Sequence, residues 1–283
     1  MRIEKDIKLF DDDELFSVAY TKVNFETTDT DITVYDKYKI SILLSEGLNA
    51  VVGDKVIKSG KNSVVFFRPD ELHFGRVSRA GVHSYLDFFI PLSFFEKFCK
   101  GSEIIKFITD KSENRVNYIV FDMPHQKIIF ETAIDTIEIL KSNDKNSDMK
   151  IFSLMLRIIL LCSDFYEKQK YNPIDFQMPD IVTGTMMYIS ENYKDKLSLE
   201  KLASRANCSV TYLSRIFKQY VGITIYNYII ATRIGNAQIM LNEDVSVTEV
   251  CFACGFDDCS NFIRTFKKIT GKTPLQFQKS LNM

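Results

Sequence analysis

Only three histidines occur among the 283 residues, and none lies in the last third of the chain. That scarcity counts against zinc, because a structural site takes four Cys or His ligands and a catalytic site takes three protein ligands. The six cysteines do not make up the shortfall. Cys251-x-x-Cys254-x4-Cys259 invites a metal or redox reading, but no histidine accompanies it. Cys251 and Cys254 also fall on a predicted apolar helix, where a thiol packs as a small hydrophobe. Cys259 opens the helix that follows and is expected to be the exposed thiol. An apolar leader is missing too: Met1 to Glu14 holds no hydrophobic block, so no signal peptide is expected. The longest apolar stretch, Ile151 to Cys162, is interrupted by Arg157 and falls short of the about 20 residues that span a bilayer. A cytoplasmic chain with reduced thiols and no membrane partner is the expectation.

A large net charge is absent as well, since 36 Lys and Arg face 37 Asp and Glu. The balance hides an asymmetry. From Asp180 onward, 12 basic residues stand against 9 acidic ones, which leaves 24 against 28 in the part before it. A mildly basic end on an acidic body fits a nucleic-acid module attached to something else. The length favours two domains, and 46% hydrophobic residues suffice for packed cores.

What is present is a repeat. Arg215-x-Phe217-Lys218-x-x-x-Gly222-x-Thr224 recurs 49 positions later as Arg264-x-Phe266-Lys267-x-x-x-Gly271-x-Thr273. A glycine in that slot ends a helix, because it takes φ > 0 without steric cost. The Thr two residues on caps the next helix, and Pro274 suits a first helical position. A short helix precedes each copy. Leu199, Leu202, Ala203 and Ala206 form one buried stripe with Ser198 as N-cap, and Ser209 caps the helix after the turn. Before the second copy, Ser246-Val-Thr-Glu249 reads as a capping box, Gly255 as the turn, and Asp257 or Asp258 as the next cap. Short helix, tight turn and basic helix is the helix-turn-helix arrangement, at about 199–221 and again at about 247–270. Between them, 224–241 predicts a helix of about 25 Å, long enough to hold two reading helices near one DNA turn, about 34 Å, apart. Gly235 inside it has no explanation in the sequence.

Helical period separates the faces. Val210, Leu213, Phe217 and Tyr220 turn inward, which leaves Thr211, Ser214, Arg215 and Lys218 outside. In the second copy Phe262, Phe266 and Ile269 turn inward, leaving Asn261, Arg264, Thr265 and Lys268 outside. Arg suits guanine, Asn suits adenine, and Ser or Thr suit either. Thr211, Ser214, Arg215, Ser260, Asn261 and Arg264 are therefore the expected base readers of double-stranded DNA. Lys218, Lys267 and Lys268 are expected on phosphates.

At this point the chain resembles a known family. Tyr212-Leu-Ser-Arg-Ile-Phe-Lys218 with Gly222, Tyr228, Arg233 and Ala237, then Gly255-Phe-Asp-Asp-Cys-Ser-Asn-Phe-Ile-Arg-Thr-Phe-Lys-Lys268 and Gly271-x-Thr-Pro274, closely resemble the DNA-binding domain of AraC/XylS-type bacterial transcription regulators. The resemblance covers about Ile181 to Leu281. It implies a seven-helix domain with two helix-turn-helix motifs joined by a linker helix, and it adds Arg233 to the expected phosphate contacts. Cys251 departs from the family's usual small Ala, and Gln278 from a common Arg.

Short apolar runs punctuated by glycines fill residues 31–90, the pattern of a β-barrel or sandwich. Helical periods follow at about 92–108, 126–141 and 148–168. Gly47, Gly60 and Phe67-Arg-Pro69-Asp-Glu-Leu-His73 resemble the cupin-type sensor domain commonly attached in this family. Metal-binding cupins place two His and an acid on an early strand. Here Thr33, Tyr35 and Lys39 stand there, so no metal or other cofactor is expected. Polar residues on apolar strands mark a small-molecule pocket at Tyr35, Tyr38, Arg68, His73, Tyr85 and Asp87, with sugars the analogy from similar regulators. The acidic start, Phe10 to Phe16, is either an arm over that pocket or irregular chain. Helix 126–141 carries Ile129, Ala133, Ile137 and Leu140, with Ile128, Ile134 and Ile139 on other sides, a face wide enough to meet a second chain. The fold class is thus two-domain α+β: a cupin-like β-barrel with helices over 1–170, a linker at 171–179, and an all-α DNA-binding domain over 180–283. The function expected is a sequence-specific, non-enzymatic transcription regulator answering a small molecule. It is expected to act as a homodimer, with promoter DNA and RNA polymerase as partners. Two alternatives stand: a barrel that only dimerises or binds a protein, and, remotely, a cupin enzyme.

Overall fold

The computed structural model describes residues 2–10, 15–25, 37–52, 55–57, 60–69, 73–77, 80–99, 102–110, 117–142, 144–169, 178–243 and 245–279. The predicted linker falls almost wholly outside them, as do Tyr35, Thr33 and the acidic residues 11–14.

The chain opens with two strands that the sequence pattern did not announce. β1 (Arg2–Phe10) pairs antiparallel with β2 (Phe16–Phe25) along its whole length, Arg2 opposite Asn24 and Phe10 opposite Phe16. β3 (Tyr38–Leu43), β4 (Leu48–Val52), β5 (Lys55–Ile57), β6 (Val64–Phe67), β7 (His73–Val77), β8 (Gly81–Ile90) and β9 (Tyr118–Ile119) complete two antiparallel sheets. One has the order β1-β2-β8-β3-β6-β9 and the other β5-β4-β7. Among the described residues no strand ladder joins them, so the expected barrel is here two stacked sheets. Closure needs continuous pairing at both edges, whereas β1 and β9 edge the larger sheet and β5 and β7 the smaller, with no ladder between them among the described residues.

Strand alternation gives the six-stranded sheet two different faces. Ile40, Ile42, Val64, Phe66, Leu86, Phe88 and Ile90 share one face by register and are buried in one core with the helices. Those helices are α1 (Leu92–Phe98), a 3₁₀ turn at Glu103–Ile105, α2 (Lys106–Thr109), α3 (Met123–Lys141) and α4 (Ser147–Gln169). Phe66 meets Phe107 of α2 edge-on at 5.1 Å and Tyr166 of α4 at 6.1 Å. On α3, Ile129, Ala133 and Ile137 are buried as the period requires, joined by Thr132 and Thr136. Each threonine hydroxyl donates back to a carbonyl four residues earlier, so neither is left unsatisfied.

The C-terminal residues are all helical: α5 (Asp180–Asn192), α6 (Leu199–Arg205), α7 (Val210–Val221), α8 (Ile225–Asn242), α9 (Val247–Ala253), α10 (Cys259–Thr270) and α11 (Pro274–Lys279). They make two cores. Val182, Met186 and Ile189 of α5 pack with Leu202 and Ala203 of α6 and with Leu213, Phe217 and Val221 of α7. Val250, Cys251 and Cys254 pack with Phe256, Phe262, Phe266 and Phe277. α8 serves both cores. Ile225, Tyr228 and Ile229 enter the first, Ile234, Ala237 and Leu241 the second, so its apolar residues are spread all round. Val51 of β4 is fully buried within the α5 cluster, where the smaller sheet meets the helical part. No described helix is long and apolar enough to cross a membrane.

Candidate nucleic-acid interface and inter-sheet polar cluster

Local chemistry fixes both basic helices at each end. The amide of Tyr212 donates to Ser209 Oγ at 3.2 Å, which satisfies one of the orphan N–H groups at the start of α7. Asp258 caps α10 more heavily, accepting from the amides of Ser260 at 3.1 Å and Asn261 at 2.9 Å. Both helices stop at a left-handed glycine, Gly222 at φ 92° and Gly271 at φ 80°. Ahead of α9, Ser246 and Glu249 close a full capping box. After each glycine a Thr opens the next helix: Thr224 accepts from the amide of Asn227, and Thr273 from that of Gln276.

With the ends fixed, period decides which side chains face water. Phe217 and Phe266 are fully buried, and Thr211, Arg215, Lys218, Ser260, Arg264, Lys267 and Lys268 are exposed. Ser214, Asn261 and Thr265 lie half-buried beside them. Asn261 Oδ1 accepts from Arg264 Nη2 at 3.2 Å, so these two predicted readers are already paired. The Arg215 guanidinium lies 5.6 Å from the Tyr212 ring. Period reasoning passed over Tyr212, yet it is 42% exposed at the start of α7; a large aromatic between a cap and an outward Arg was the available signal.

Arg233 does not join that surface. Its Nε donates to the carbonyl of Tyr193 at 2.8 Å and its Nη2 to that of Asp195 at 2.9 Å, with the guanidinium 5.7 Å from the Phe256 ring. Burial lowers its pKa from the ordinary arginine value, with Asp257 opposing. Cys251 and Cys254 are buried in the second core as small hydrophobes, and Cys259 is partly exposed. Burial pushes the Cys251 thiol up to about 12 and Cys254 up to about 11. Gln278, where the family often has Arg, donates to the carbonyl of Val245 at 2.9 Å and so ties the end of α11 to the start of the second pair.

The second candidate site lies between the sheets. Residues of odd number on β3 and β8 face away from the helices and toward the smaller sheet. Lys39 Nζ sits 3.1 Å from Asp87 Oδ2, and Ser41 Oγ donates to Asp87 Oδ1 at 2.5 Å. Lys39 also lies within 6 Å of the Phe67, Tyr85 and Phe89 ring centroids. From the opposite sheet His73 stacks on Phe67 at 4.2 Å. Burial, and then the Lys39 charge, hold the His73 pKa well below its usual value.

Of the predicted pocket, then, His73, Tyr85 and Asp87 come together. Tyr38 and Arg68 do not. Tyr38 shares the parity of Ile40 and packs edge-on against Phe95 of α1 at 5.2 Å, on the helix side. Arg68 Nη1 donates to the carbonyl of Asp110 at the end of α2. Tyr35 lies outside the described residues. Lys39 and Ser41, not among the predicted pocket residues, are the centre of this buried polar cluster. A lysine within an apolar strand was the signal, because it must find a partner. Among the described residues no group of three or more Cys, His, Asp or Glu could hold a metal ion.

The helix-turn-helix domain family matches residues 202–280. The bifunctional transcriptional activator/DNA repair enzyme AdaA of Bacillus subtilis is 30% identical over 126 residues, 44% of this chain and 60% of that protein. The melibiose operon regulatory protein of Escherichia coli is 30% identical over 99 residues, 35% of this chain and 33% of that protein. Less than two thirds of either relative is thus spanned. Among solved structures, the C-terminal domain of AraT, a response regulator from Geobacillus stearothermophilus, aligns with 37% of this chain and 88% of its own, at 29% identity and a TM-score of 0.36.

Proposed function

We propose that this chain, which belongs through its C-terminal domain to the AraC-type helix-turn-helix transcription regulators, reads promoter DNA with α7 and α10 in successive major grooves. The observation that carries this reading is the doubled element. Two helices, each capped, each closed by a left-handed glycine and each backed by a buried Phe, turn a basic polar face outward. Arg215 and Arg264 are assigned to guanine edges, and Asn261 to adenine once Arg264 releases it. Thr211, Ser214 and Ser260 complete base reading, while Lys218, Lys267 and Lys268 hold phosphates. Residues 180–283 form the DNA-binding part in this reading, and 171–179 tether it to the sheets.

The buried polar cluster between the sheets is the proposed seat of a small polar effector. Asp87, Lys39, Ser41, Tyr85 and His73 offer hydroxyl, amine and carboxylate partners against three aromatic faces, a lining suited to a hydroxyl-rich molecule. The Lys39–Asp87 pair already satisfies itself, which favours a second reading in which the sheets serve only to bring two chains together. Selection of duplexes from a random library by the purified full chain tests the main reading. The expected result is one enriched motif with two boxes about 10 base pairs apart; recovery of unenriched sequence would overturn it.

A further inference from the structure

α7 and α10 belong to separate hydrophobic cores, and along the chain only α8 runs between them. The crossover of α8 is buried on one side through Ala231, Thr232, Ile234 and Ala237 and open on the other. Gly235 lies there, and a Cβ at that position would meet nothing within 4 Å. A single helix fixes the register of two cores only as well as its own stiffness allows. A second connection makes up for this.

It runs through the end of α5. α5 packs within the first core, beside α7. Its last carbonyls cannot be satisfied inside the helix, and they carry the negative end of its dipole. Arg233 of α8 takes two carbonyls at that end, Tyr193 through Nε and Asp195 through Nη2. The turn of the second pair rests on the same residues. Gly255 has φ +79°, and a Cβ there would lie 2.6 Å from the Lys194 oxygen and 2.9 Å from the Tyr193 oxygen. Phe256, the next residue, packs beneath the Arg233 guanidinium. Three elements, α5, α8 and the α9–α10 turn, therefore meet on residues 193–195.

We infer that this end of α5, gripped by Arg233 and seated under Gly255, is the bracket that fixes α10 relative to α7 and so selects the spacing between the two DNA boxes. The inference rests on the reading of α7 and α10 as DNA readers. Arg233 is then a positioning residue that touches no DNA. Lysine is a poor replacement, because its one nitrogen would have to serve both carbonyls, whereas the planar fork presents two nitrogens in fixed geometry.

The test uses the full chain and the duplex recovered by selection, with one base pair inserted or deleted between its boxes, and a duplex holding one box. One base pair rotates the second box by about 34°. Wild type should lose about tenfold or more on the shifted duplexes. Arg233→Lys should weaken binding to the selected duplex and bring the shifted duplexes within about threefold of it, leaving one-box affinity and the salt slope unchanged. Gly255→Ala, whose Cβ cannot fit, should relax spacing in the same way, and if it fails to fold Arg233→Lys still decides. Retention of the wild-type spacing ratio by Arg233→Lys would overturn the bracket. So would parallel losses of Arg233→Met on selected, one-box and random DNA with a salt slope lower by about one, the signature of a phosphate contact. Should wild type show no specific binding, the DNA-reading premise itself fails, which the wild-type isotherm reveals before any variant is made.

Discussion

His73 is the residue whose burial has the clearest consequence in solution. Held between the Phe67 ring and the Lys39 charge, it stays neutral when folded at pH values where the unfolded chain, with an ordinary pKa of 6.5, takes up a proton. Proton uptake by the unfolded state alone lowers stability as pH falls. The sheets should therefore be unaffected above pH 7 and lose up to about 1.4 kcal/mol per pH unit below about 6.5. Urea titrations at pH 7.5, 6.5 and 5.5 check this, and His73→Gln should flatten the slope; an unchanged slope in the variant would assign the effect elsewhere. Gly235 gives a prediction of opposite sign. Its surroundings leave a Cβ free, so Gly235→Ala should stabilise the helical part by about 0.5–1 kcal/mol, read as a higher thermal midpoint. A lower midpoint would mean that α8 bends there in the native state.

At the scale of the helix and the strand, the ends of α7 and α10 depend on single side chains. Ser209→Ala and Asp258→Ala should each cost about 0.5–2 kcal/mol, with Asp258 the larger because it satisfies two amides. Amide exchange in the first turn of each helix measures the loss, and protection equal to wild type would show that the caps are dispensable. These caps were legible in the sequence, as were Gly222, Gly271, the capping box and the buried Phe pair, because each is a signal contained within a few residues. The signals that failed depend on partners far along the chain. Ser41 meets Asp87 46 positions away, and Arg233 meets Tyr193 40 positions away, and neither separation has a local signature. Tyr38 turns to the helix side for the same reason: alternation is visible in a strand, but the side that faces the helices is set by pairing; Arg68 lies just past the end of β6 and reaches Asp110 instead. β1 and β2 were missed because their sequences mix charged with apolar residues, which hides the period.

Across the whole molecule, one basic end with a surplus of three charges stands on an acidic body. In the proposed reading a module so weakly charged would make few phosphate contacts and bind poorly at physiological salt. Two chains paired through the helices beside the sheets would supply the missing affinity, with linker 171–179 as tether. Full-length protein on two copies of the selected site should bind about 10²–10⁴ tighter than on one, and equal affinities would show that the chain acts singly. Base reading is the core of the proposed mechanism. It is tested most directly by comparing wild type, Arg215→Ala, Arg264→Ala and Lys267→Ala on selected and random duplexes at fixed salt. Each arginine variant should lose about 1–3 kcal/mol on the selected duplex and relax preference at one position, in a different box for each, whereas Lys267→Ala should weaken all sequences alike. Equal losses on selected and random DNA for both arginine variants would contradict the assignment of α7 and α10 as the reading helices.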